Sequence, residues 1–208
     1  MARRKSLKLP PRKVIFIFSD GETEQNYFKL KYRQITEENG GKERQIVKVV
    51  NRLRDEQQPR NYVKYITDYL HKNYGSEKPE RVFCVFDLDV LNKEDVQASI
   101  KKKPKYIEFI PSNPNFEIWL LLHYRYYHHT FGNHEPFEKL RECEGNYEKP
   151  HVEPIFKNLI DLEENAIENV NRLRNFKNCD PDTVSKDINP FTNVDLVVEA
   201  LNDFNKIT

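Results

Sequence analysis

The chain has 208 residues, 32% charged and 38% hydrophobic, with a mean hydropathy of −0.83 and a net charge of +1. That leaves enough apolar material for a core and excludes a disordered composition, while the small net charge requires any nucleic-acid partner to be held by a local patch. Cys84, Cys143 and Cys179 form no CxxC pair, which argues against a disulfide framework or structural zinc site, and no apolar run approaches the ~18 residues of a membrane span.

Residues 1–13 read as a basic arm ending at Pro10-Pro11. Val14–Phe18 is wholly apolar and predicts a short strand. The run is too brief for a signal-peptide core, so a soluble protein of the reducing cytoplasm is expected. A helix should follow Ser19-Asp20-Gly21 to about Ile35, with Tyr27, Phe28 and Leu30 on its apolar stripe. Gln45–Val50 predicts a second strand and Asn61–Tyr74 a helix. Arg81–Phe86 predicts a third strand, covered on both faces because Val82–Phe86 is continuously apolar. A helix over Lys93–Lys102 and a strand over Tyr106–Ile110 complete an alternation that implies a parallel α/β sheet flanked by helices.

Ser112-Asn113-Pro114 carries a helix-start signal, a capping side chain followed by proline. It predicts a buried apolar helix over Asn115–Tyr127. From Thr130 to Pro154, Gly, Pro and charge predict loops and short elements. Ile155–Phe176 reads as one long amphipathic helix, Asn178–Pro190 as a polar stretch, and Val194–Phe204 as a last helix. The expected organisation is a core over 14–125 and a mainly helical region over 126–208 packed on it.

The acids stand where chemistry is expected. In open parallel sheets, function gathers beyond the carboxyl ends of the strands. Asp20 follows the first strand, with Glu24 one helical turn on. Asp87 and Asp89 end the third strand and, by alternation, point to the same side. Glu117 lies in the helix after the fourth. Five carboxylates converging there would repel one another unless hard cations, which take oxygen ligands, sat between them. Singly, each could instead be a solvated turn acid or complement a helix N-terminus.

Asp20-Gly21-Glu22-Thr23-Glu24-Gln25-Asn26-Tyr27-Phe28, Phe86-Asp87-Leu88-Asp89 and Ser112-Asn113-Pro114-Asn115-Phe116-Glu117-Ile118-Trp119 together resemble the RloB family, from about Val14 to Leu201. Asn189-Pro190-Phe191-Thr192-Asn193 resembles that family's C-terminal motif. The family is similar to the Toprim core of OLD-family nucleases, primases and topoisomerases. The resemblance implies a Toprim-like catalytic core and a Mg²⁺- or Mn²⁺-dependent nuclease acting on DNA or RNA, tRNA included, in bacterial antiphage defence and abortive infection. It also implies an ATPase partner. Glu24, Asp87 and Asp89 would be metal ligands, Asp20 a ligand or base, and Glu117 a further ligand or support. Toprim proteins carry Glu, not Asp, at the position of Asp20, so a non-catalytic interaction component with a degenerate site is the alternative.

Lys149 is a candidate for neutralising transition-state charge. Lys101, Lys102 and Lys103 could touch a phosphate backbone, or be a solvated face. Arg125, Tyr126 and His128 could stack on bases and contact phosphate, or simply end a buried helix. Nothing near these histidines is spaced to close a zinc site. The oligomeric state stays open.

Overall fold

Two apolar pentads make the centre of the sheet. The computed structural model describes residues 14–41, 46–51, 53, 59–74, 79–89, 91–181 and 183–206. The basic arm, Gln45 and Val90 lie outside them. β1 (Val14–Ser19) and β3 (Arg81–Asp87) run parallel, with Ile15 opposite Arg81 and Ser19 opposite Val85. β2 (Ile46–Asn51) flanks β1, β4 (Ile107–Asn113) flanks β3, and the order is β2-β1-β3-β4-β5. The first four strands are parallel; β5 (Phe191–Thr192) joins β4 antiparallel.

Alternation along the strands builds two apolar layers. Ile15, Ile17, Phe83, Val85 and Ile110 face α1 (Glu22–Glu38), α4 (Glu117–Leu122), α7 (Glu163–Lys177) and α8 (Val194–Lys206). Val14, Phe16, Phe18, Val82, Cys84 and Phe86 face α2 (Pro59–Tyr74) and α3 (Lys93–Lys102). Cys84 is thus a core residue. Each Phe, Ile or Leu buried this fully stabilises the fold by ~1.5–3 kcal/mol, against ~0–1 for an exposed ion pair. Burial holds the layers together.

The first crossover places β2 on one side of β1 and the second returns to place β3 on the other. The chain direction of travel therefore reverses between β1 and β3, and their carboxyl ends open a crevice there. Asp20 and Asp87 stand at that point.

The region after residue 126 is mainly helical, with α5 (Glu135–Cys143), α6 (Phe156–Asp161), α7 and α8. Its Leu140, Leu159, Val170 and Val198 belong to the same apolar layer as Ile15 and Trp119. The expected long helix over 155–176 is broken at Leu162, whose backbone N–H reaches both Asn158 and Leu159 carbonyls. That tight turn separates α6 from α7. The helix expected from Ser112-Asn113-Pro114 is also shorter and later. β4 continues through Asn113 because Ser112 Oγ pairs with Thr192 Oγ1 at 3.0 Å, and Asn113 Nδ2 donates to the Lys186 and Ile188 carbonyls. Neither side chain is left to cap a helix, and α4 begins at Glu117.

Candidate functional site

Each acid reaches the crevice by a local device. Asp20 leaves β1 beside the end of β3, and the backbone N–H of Asp87 donates to its Oδ2 at 3.2 Å. Gly21 opens α1 with extended backbone. A Cβ there would stand 2.0 Å from Glu24 Oε2, so glycine leaves the space into which this carboxylate folds. The turn after β3 is stitched to the end of β4. Leu88 N–H donates to the Ser112 carbonyl at 2.9 Å and Asp89 N–H to the Pro114 carbonyl at 3.1 Å. Lys186 donates to the Asp89 and Leu91 carbonyls from outside.

Glu117 has a clamp that the sequence reading did not assign. Tyr147 Oη donates to Glu117 Oε1 at 3.1 Å, and Lys149 Nζ lies 2.7 Å from the same oxygen. Tyr147 and Glu117 are buried, whereas Lys149 is 46% exposed. Asn26 Nδ2 donates to the Pro150 carbonyl at 3.1 Å, tying this loop back to α1. Tyr147-Glu148-Lys149 gave a sequence signal for Lys149, but only the tertiary contact gives Tyr147 a role.

The electrostatics put the four other acids within reach of Asp87. Burial raises the Asp87 carboxyl well above its ordinary range, and Glu24, Asp20, Glu117 and Asp89 each push it further. Burial likewise raises Glu24, with Asp20 and Glu117 adding to it and Lys149 partly offsetting them. Like charges held out of water disfavour ionisation, and a cation would relieve both costs. Asp87 Oδ1 and Glu117 Oε2 are shut from solvent with no hydrogen-bond partner among the described residues. An all-carboxylate donor set suits Mg²⁺ or Mn²⁺. Among the described residues, no three such donors are drawn together closely enough to hold an ion as they stand.

The other candidates lie elsewhere. Lys101 and Lys103 follow α3 down to the start of β4, a strand length, ~20 Å, from the acids at the other end. Lys103 Nζ is engaged by the Ile107 carbonyl at 2.9 Å. The side chain of Lys102 lies outside the described part. Arg125 is exposed beyond α4. Tyr126 stacks on His128 at 5.6 Å and lies beneath the Arg172 guanidinium at 4.0 Å, while His128 meets Phe176 at 5.0 Å. This group packs on α7, a helix away from Glu117.

The C-terminal motif acts on structure. Asn189 exchanges two hydrogen bonds with the Phe131 backbone, and Asn193 Oδ1 accepts from Arg174, which is itself paired with Asp195 at 2.7 Å. Thr192 holds Ser112, and so the end of β4 beside Asp87. No helix among the described residues is long and apolar enough to cross a membrane. No curated protein and no solved structure matches the chain. The model of the RloB-like protein family matches residues 15–201.

Proposed function

The chain belongs to the RloB-like family, and from that premise we propose that it is a Toprim-like, Mg²⁺- or Mn²⁺-dependent nuclease. It hydrolyses phosphodiester bonds of DNA or RNA, tRNA included, as a cytoplasmic effector of bacterial antiphage defence, with an ATPase partner. The observation that carries this reading is the position of Asp87. It is a half-buried residue at the strand-order reversal, its Oδ1 shut from solvent, with four other acids raising its pKa.

A bound divalent cation would supply Lewis acidity and an activated water. Glu24, Asp87 and Asp89 would hold it, with Asp20 as ligand or base toward water. Glu117 would complete the ligand shell while Tyr147 fixes its orientation. Lys149, half-exposed and already at the rim, has the reach to meet charge developing on the phosphate.

One observation favours the second reading, a non-catalytic component with a degenerate site: Asp20 stands where Toprim proteins carry Glu. Calorimetric Mn²⁺ titration of wild type, Asp87→Ala and Glu24→Ala separates the two. Binding lost in both variants, followed by metal-dependent cleavage in a screen of tRNA, single strands and plasmid, supports the nuclease. No Mn²⁺ binding by folded wild type, even with nucleic acid added, rejects it.

A further inference from the structure

A groove of about 820 Å³ runs between β2 and α2. β2 is the edge of the sheet, so one side of the groove is formed by Val49 and Val50. The other is α2, with Tyr65 and Tyr69 half-buried against Phe18. Gln25, the sequence neighbour of Glu24, also lines it. Tyr62, next to lining residue Asn61, lies in the field of Asp20 and Asp87. Gln25 and Asn61, in the first turns of α1 and α2, put one end of the groove on the carboxyl-end side of the sheet, where the acids also stand.

The charge along the groove is mostly positive. Lys64 and Lys72 are exposed on α2, two turns or ~12 Å apart, with Asp68 between them. Lys48, exposed on β2 and outside this lining, adds a third ammonium 5.4 Å from the Phe16 ring, which packs on Tyr69, and 5.7 Å from that of Tyr74. Cations spaced along a trough suit a polyanion better than a single phosphate. Tyrosine faces beside them suit unpaired bases, since a base in a duplex has no free face to stack.

We infer that this groove seats a single-stranded segment of nucleic acid, with phosphates along Lys48, Lys64 and Lys72 and bases against Tyr65 and Tyr69, and delivers it to the acids. The inference rests on the nuclease reading for what happens at the acids, but binding along α2 needs no metal. It names the substrate class as an unpaired strand or loop.

The test is fluorescence anisotropy of labelled single-stranded RNA and DNA 12-mers on the full chain in EDTA, across a salt series. In Lys64→Glu/Lys72→Glu, Kd should rise at least tenfold, and the slope of log K against log salt should fall by about 1.4, from two lost phosphate contacts. Both sites are exposed, and an unchanged melting curve verifies folding. Arg172→Glu, on the α7 face, should change Kd less than twofold. A blunt duplex of the same sequence should compete at least tenfold less well than the single strand. No wild-type binding, an unaffected lysine variant, equal loss in Arg172→Glu, or equal competition by duplex overturns the inference. Groove-dependent binding without cleavage in Mn²⁺ rejects the nuclease reading alone. Cleavage with an unchanged KM in the lysine variant rejects the groove alone.

Discussion

The backbone N–H of Asp87 donates to Asp20 Oδ2 across 3.2 Å, joining the ends of β1 and β3 where the strand order reverses. The bond uses the main chain of Asp87 and leaves its carboxylate facing Glu24, Asp20, Glu117 and Asp89. Asp87→Asn keeps that N–H and removes one charge from a crowded group whose Oδ1 is shut from solvent. It should raise Tm in EDTA by about 2–8 °C, from a relief of about 1–2 kcal/mol in a chain of this size. The same variant should lose Mn²⁺ binding in calorimetry. A lowered Tm would mean that the acids do not repel one another in the folded chain.

Glu117 gives a second prediction, because its two partners differ in burial. Tyr147→Phe removes a buried donor to a carboxylate and should cost about 1.5–3 kcal/mol in urea denaturation. Lys149 is 46% exposed, so Lys149→Ala should cost under about 1 kcal/mol. Freed of that competing ammonium, Glu117 should bind Mn²⁺ about 2–5-fold more tightly, the worth of a screened ion pair. Cleavage should nevertheless fall by about 10²–10³. Tighter metal with slower turnover would distinguish a charge-stabilising lysine from a structural one, for which both would move together or neither would move.

The sequence made β1, β3 and the acids legible because a continuous apolar run ending in Asp has few other uses in a parallel sheet. The covered strands and the placing of Asp20 and Asp87 follow from that alone. β5 was hidden: two residues carry no period, and only their pairing with Ser112 and Asn113 of β4 makes Phe191–Thr192 a strand. The break at Leu162 was hidden for the opposite reason. Leu159, Ala166, Val170 and Leu173 all belong to one apolar layer, so the pattern runs across a turn that the backbone does not. α5 was masked by the Gly and Pro around it, with Leu140 as its fully buried aliphatic anchor. Tyr147 could not be read as a partner of Glu117, since it lies thirty positions on and the chain between had first to fold its loop back onto α1. Lys101–Lys103 read equally as a solvated face or as phosphate contacts, and the direction of α3 sets Lys101 and Lys103 about a strand length from the acids.

Away from the crevice, Lys31 on α1 pairs with Glu163 at the start of α7 at 2.7 Å, and Asn202 on α8 donates to the same carboxylate at 2.9 Å. Both charges are nearly closed to water, so removing one strands the other. Lys31→Met should cost about 3–5 kcal/mol in urea denaturation, while Lys31→Met with Glu163→Leu should recover most of it. A double variant as unstable as the single would mean that the pair is worth more than the apolar packing replacing it.

His123 makes stability depend on pH. Its Nδ1 lies 2.9 Å from the Trp119 carbonyl oxygen and its ring packs on the Trp119 indole at 4.8 Å, inside the apolar layer. Burial, aided by the nearby Lys31 charge, lowers its pKa from 6.5 to about 4. The unfolded chain therefore takes up this proton at a higher pH than the folded one. The contribution is complete above about pH 6.5 and is lost as pH falls toward 4. Between pH 7 and 4.5 the loss from this residue should be about 2–3 kcal/mol. Carboxylates also titrate in that interval, so the informative quantity is the difference between wild type and His123→Gln, whose amide can still donate to the Trp119 carbonyl. Urea midpoints at both pH values should show a smaller acid loss in the variant by that amount. Equal losses would mean that His123 is protonated in the folded chain, with water or a carboxylate reaching Nε2.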